Sequence, residues 1–226
     1  MTDAANASKI APPEDWISRW QRIARRIRVP LGFLAAILYL YELWRRAPMP
    51  WAILWSLVLV LPGLWLRGYA AGYVKKNREL TQTGPYAHVR NPLYLGSVLI
   101  AFGFAFALLS WPVALVLAIG FLVVYVPVIA SEERYLRATF PDFDGYCKRV
   151  PRLVPRLTSG IRAGETAATG NPDAGAGNVT EVSSSNFSFA LYLKHREYNA
   201  LIGAAFLYLS LIFLGPALGA LVRWAR

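Results

Sequence analysis

P-L-Y-L-G-S-V-L-I-A-F-G-F-A-F-A-L-L-S-W-P-V-A-L-V-L-A-I-G-F-L-V-V-Y-V-P-V-I-A, residues 92–130, contains no charged side chain. It divides into two apolar runs, 92–109 and 111–130, joined only by Ser110-Trp111-Pro112. Each run approaches the roughly 20 apolar residues that an α-helix needs to cross a hydrocarbon core. So short a connection turns the chain straight back, which predicts an antiparallel helical hairpin. Its ends at Pro92 and Ala130 then lie side by side.

Both ends open into polar sequence. Upstream is T-G-P-Y-A-H-V-R-N, residues 83–91, which holds Gly84, Pro85, Tyr86, His88, Arg90 and Asn91 before Pro92 and Tyr94. Downstream is Ser131-Glu132-Glu133-Arg134. Groups with hydrogen-bonding tips are costly at a membrane boundary unless they line a site. Two such clusters at one end of a hairpin suggest an enzyme working at the membrane surface.

The rest of the chain fits a membrane setting. Of its 226 residues, 56% are hydrophobic and only 16% charged, against roughly 25% charged in a soluble domain. Further apolar runs lie near 29–44, 51–66 and 199–222. The predicted fold is all-α: a polytopic integral membrane helical bundle with about five transmembrane helices. Ahead of it, Pro12-Pro13-Glu14-Asp15 reads as a helix start. Trp16, Trp20, Ile23, Ala24 and Ile27 then share one face and Arg19, Arg22, Arg25 and Arg26 the other, as in an interfacial amphipathic helix. Arginines that dense do not lead into a cleavable signal core. The expected organisation is a tail and interfacial helix over 1–28 and a core over 29–156. A Gly-, Ala- and Ser-rich flexible linker would occupy 157–187, and an amphipathic segment with an extra span 188–226.

With the N-terminus in the cytoplasm, every lysine and arginine except Arg45, Arg46, Arg223 and Arg226 falls inside. The positive-inside rule therefore places both polar clusters on the cytoplasmic face and the C-terminus on the opposite side. The net charge of +11 is accounted for by residues flanking apolar runs. It forms no basic face interleaved with base-stacking aromatics, so no nucleic-acid partner is expected. Cys147 is the only cysteine, and His88 and His195 are the only histidines. No disulfide or zinc site is expected from them.

Adjacent helical residues point about 100° apart, so Glu132 and Glu133 cannot share one direction on a regular helix. Glu133 could simply pair with Arg137 at i+4. A carboxylate pair opposite arginine, a Gly-Pro turn and aromatics also suits a cationic amino-acid cofactor. S-adenosylmethionine offers an ammonium to a carboxylate, a carboxylate to a guanidinium, and an adenine to apolar groups. A phosphate or lipid headgroup would satisfy the arginines as well.

The ordered set G-P-Y-x-x-x-R-N-P-x-Y-x-G, then E-E-x-x-L-x-x-x-F, then Y-x-x-x-V-P-R-x-V-P, resembles the isoprenylcysteine carboxyl methyltransferase family, within a wider group that includes the phospholipid N-methyltransferases. The resemblance covers about residues 50–156. It implies a membrane methyltransferase using S-adenosylmethionine, with a lipophilic substrate entering from the membrane. Carried over position by position, it implies that Gly84, Pro85 and Tyr86 shape the cofactor loop, and that Arg90, Asn91, Pro92 and Tyr94 form its wall. Glu132 and Glu133 would hold the cofactor's polar end, and His88 would face either cofactor or headgroups. Arg152 would orient the substrate carboxylate or the cofactor, with Tyr146 lining the pocket between them. The chain departs from the family at Asn91, where many members carry histidine, at Pro141 and at Phe143. The first activity implied is carboxyl O-methylation of an isoprenylcysteine-like or other lipophilic acid. The alternatives are N-methylation of a phospholipid amine, and a non-catalytic scaffold or reductase of similar architecture.

Overall fold

The computed structural model describes residues 16–74, 80–156 and 187–217. Among these residues every regular element is helical. The order is α1 (Trp16–Arg45), α2 (Pro50–Ala71), a 3-10 turn (Gly84–Ala87), α3 (Pro92–Ala107), α4 (Trp111–Thr139), α5 (Phe143–Arg149), α6 (Phe189–Lys194) and α7 (Tyr198–Leu209). α7 runs on through a π turn at Ser210–Leu214. By length and composition α2, α4 and Tyr198–Ala217 can each cross a membrane, while α3 is apolar but shorter. The protein is an all-α membrane helical bundle. The expected linker over 157–187 apart from Phe187, the helix start at Pro12–Asp15 and the tail beyond Ala217 lie outside the described residues.

α1 differs from expectation. The residues expected to form an interfacial helix and a first span lie in one helix of 30 residues, so the boundary expected at residue 28 falls inside it, and this helix is not among those long and apolar enough to cross a membrane. Pro30 sits within this helix. A proline there removes one backbone hydrogen bond, but its fixed φ still suits the helix, and the apolar run continues past it.

The hairpin forms as expected. Ser110 caps α4 by accepting from the Val113 amide, and the chain reverses at Leu109, whose φ of 48° lies in the left-handed region. α3 nevertheless packs most extensively on α2, and α4 on α1. Glycine allows the first of these contacts. A Cβ at Gly63 would lie 2.8 Å from the Gly96 carbonyl oxygen, and one at Gly96 would lie 2.7 Å from the Gly63 carbonyl oxygen. Between helices in lipid there is little hydrophobic drive, so close backbone approach and van der Waals contact supply the attraction.

The main core gathers Leu43, Val60, Phe104, Leu108 and Val113 with Ala204 and Leu211 from the C-terminal span. Outside it, Phe33, Trp55, Leu122 and Phe206 are each more than 60% exposed, a surface suited to lipid rather than water. A smaller cluster of Phe143, Tyr146 and Val150 packs under the polar end of the hairpin.

Candidate functional site

The two polar clusters, far apart in sequence, meet. The segment after α5 returns along the loop before α3, pairing backbone to backbone. Arg90 N–H donates to the Pro151 carbonyl at 2.9 Å and Arg156 N–H to the His88 carbonyl at 3.0 Å. The Asn91 amide side chain donates to the Arg152 carbonyl at 3.2 Å. This pairing brings Arg90 and Arg152 to the same carboxylate. Glu133 Oε1 accepts from Arg90 Nη1 and from Arg152 Nε, each at 3.0 Å, while Oε2 accepts from Arg152 Nη2 at 2.5 Å. The Glu133–Arg137 pair is not formed; Arg137 instead donates to Asp144 at 2.7 Å.

Glu133 is 7% exposed. A buried carboxylate is tolerable only when such donors replace its water. Arg152, with a side chain 51% exposed, keeps one edge toward solvent while Glu133 grips the other. The hydrogen bond to Glu133 raises the pKa of Arg152, fixing it as a cation. Arg90 also donates to Cys147 Sγ at 2.8 Å, and its buried Nε has no partner among the described residues. Cys147 is a contact that the sequence pattern did not single out.

Glu132 points elsewhere, as helical geometry requires. It is exposed and accepts from the Tyr94 hydroxyl at 2.8 Å. The Tyr94 ring meets Tyr125 edge-on at 5.1 Å, and Tyr125 stacks on Phe121 at 4.6 Å. An aromatic series thus leads from the Glu132 carboxylate along the hairpin into its apolar part. Tyr125 and Phe121 were not expected here; their spacing of four on α4 is the signal that could have found them.

The remaining candidates support the loop. Gly84 adopts φ 59° against the Tyr73 ring, and Pro85 and Tyr86 are buried. Pro92 is buried as the first residue of α3, where its missing N–H costs nothing. Tyr146, expected on a pocket wall, is instead 3% exposed and donates its hydroxyl to the Tyr86 carbonyl at 2.7 Å. The small apolar cluster captures its ring, so it buttresses the loop from behind. Burial pushes the phenols of Tyr86 and Tyr146 well above the ordinary tyrosine range, so neither supplies a phenolate at neutral pH. His88 Nδ1 lies 2.9 Å from the Arg156 carbonyl. A carbonyl only accepts, so Nδ1 carries the proton and the ring belongs to the backbone pairing. Among the described residues no three His, Cys, Asp or Glu side chains gather into a set able to hold a metal ion.

Against known proteins, the family model described as phospholipid methyltransferase matches residues 50–142. That stretch holds α2, the loop, the hairpin and both glutamates. The cobalt-zinc-cadmium resistance protein CzcN of Cupriavidus metallidurans is 39% identical over 95 residues, or 42% of this chain and 43% of that protein. The nickel-cobalt-cadmium resistance protein NccN of Alcaligenes xylosoxydans xylosoxydans is also 39% identical over 95 residues, 42% of this chain and 44% of its own length. The matched region thus spans less than half the length of either curated relative. No solved structure matches the chain. The family match likewise covers less than half of the chain.

Proposed function

We propose that this protein is a membrane methyltransferase that uses S-adenosylmethionine and acts on a lipophilic acid at the membrane surface. The observation carrying the reading is the convergence of Arg90 and Arg152 on Glu133, beside a separate, exposed Glu132–Tyr94 pair. The donor set suits the cofactor: an exposed carboxylate for an ammonium, guanidinium edges for a carboxylate, and tyrosine faces for a sulfonium or adenine. The unpartnered Nε of Arg90 adds a buried donor with capacity to spare. When bound, S-adenosylmethionine supplies an electrophilic methyl group on sulfur.

Within this reading the two glutamates have different tasks. Glu132, held by Tyr94, takes the ammonium. Glu133 is already engaged by two guanidiniums and acts as the keystone that aims Arg152. The exposed edge of Arg152 orients the carboxylate of the acceptor, which needs no general base because its ordinary pKa is near 4. Alignment and exclusion of water then carry the acceleration. His88 and Asn91 hold the loop to the returning segment, and Tyr146 holds it to α5. The positive-inside count puts this face in the cytoplasm.

A second reading has its own support. The Tyr94–Glu132 pair is a hydroxyl–carboxylate couple that could take a proton from an ammonium headgroup, as amine methylation requires. The phospholipid methyltransferase match is compatible with that chemistry. Purified protein in nanodiscs, given S-adenosylmethionine and either a prenylated thioether acid or an aminophospholipid, should methylate the acid. Methylation of the amine alone would select the second reading, and absence of S-adenosylmethionine binding by calorimetry would reject both.

A further inference from the structure

The C-terminal segment from Phe187 lies beyond the family match, which ends at residue 142, yet it is fastened to the site along two routes. The first passes through Arg67 on α2. Its Nη2 and Nε lie 2.7 and 2.9 Å from Glu197 Oε2, in the turn between α6 and α7. Its Nη1 donates to Ser97 Oγ and to the Leu93 carbonyl at 3.3 Å, both in the opening turns of α3 beside Tyr94. The Arg67 and Glu197 side chains are 24% and 12% exposed, so the guanidinium has little water to replace its carboxylate.

The second route is aromatic. Phe187 sits on Gly72, where any Cβ would overlap its ring, and Ser188 N–H donates to the Gly72 carbonyl at 3.0 Å. Phe187 also meets Tyr73 at 6.3 Å. Tyr73 in turn packs on Gly84, where a Cβ would lie 2.7 Å from its ring. Deeper in the bundle the same segment is held by Tyr208 to Ser56 at 2.8 Å and by Ser210 to Tyr39 at 2.5 Å.

We propose that the segment from Phe187 through α7 is a brace that sets both walls of the site. Glu197 is a positioning residue that acts through Arg67 on the first turn of α3, and Phe187 acts through Tyr73 on the Gly84 turn. The span is thereby part of the site's construction and not an appended anchor.

The test uses full-length protein in nanodiscs with hydrogen exchange and S-adenosylmethionine titration. In Glu197→Gln, exchange should rise about tenfold over residues 84–97 with α4 unchanged, and Glu197→Asp should restore protection. Phe187→Ala should raise exchange over 84–90 with α3 less affected, a second measurement should Glu197→Gln fail to fold. Unchanged exchange over 84–97, or a rise spread equally over α1 and α4, would overturn the brace. The affinity measurement rests on the methyl-transfer reading: S-adenosylmethionine should bind about tenfold more weakly to Glu197→Gln. If the wild type binds none while exchange responds as stated, the brace stands and the methyl-transfer reading falls. If the wild type binds and Glu197→Gln binds equally well, the brace falls alone.

Discussion

Glu132 and Glu133 are neighbours in the chain and opposites in environment, and substitutions should separate them. Glu133→Ala leaves Arg90, with a side chain 14% exposed, facing Arg152 without their shared carboxylate. Breaking a buried ion pair typically costs about 3–5 kcal/mol. Because Arg152 is half exposed, screening lowers the expected loss to about 2–3 kcal/mol, measurable by denaturant unfolding in detergent. Glu132→Gln, on an exposed side chain, should change stability by no more than about 0.5 kcal/mol. It should nevertheless weaken S-adenosylmethionine binding about tenfold or more by calorimetry, since it removes the counter-charge for an ammonium. Arg152→Ala should lower turnover more than cofactor affinity. The buried phenols give a pH test. Their pKa values are raised in the fold, so the folded protein holds protons that the unfolded chain releases above pH about 10. Their contribution is complete below that pH and lost as it rises further. Tyr86→Phe with Tyr146→Phe should flatten the alkaline decline in stability. Which residues would cluster was legible from their types and their place beside apolar runs. Which partner Glu133 would take was not, because the candidate four residues on was drawn off by Asp144 and the real partners lie 43 and 19 residues away.

Helices pair here by contacts of different legibility. The α3–α4 hairpin could be read directly, since an uncharged stretch with so short a break allows no other course. The close α2–α3 contact could not, because Gly63 and Gly96 identify each other only once both helices stand side by side. Gly96→Val should therefore be worse than its composition suggests. Overpacking against the Gly63 carbonyl and Arg67 should cost about 1–3 kcal/mol, seen as a lower unfolding midpoint. Leu109→Gly should act in the other direction. It relieves a left-handed backbone at a leucine, and should raise stability by about 1 kcal/mol in the same assay. The continuity of α1 was hidden by Pro30 and the dense arginines, both of which imitate a boundary. The C-terminal span looked like a late addition because Glu197, Tyr208 and Ser210 find partners 130, 152 and 171 residues earlier. No local pattern carries that information.

Across the whole molecule, membrane helices provide the frame and the chain's return after α5 closes the polar end. Arg156 lies 68 residues beyond the histidine whose carbonyl it meets. This separation has a consequence for biosynthesis. On a ribosome, α1 to α4 leave the exit tunnel before the segment that completes the site. Until then Glu133 waits at the boundary with Arg90 alone, so translation ends its wait only when Arg152 emerges. A nascent chain arrested with Pro151 still inside the exit tunnel should leave the loop before α3 open to protease, and emergence of residues 151–156 should close it.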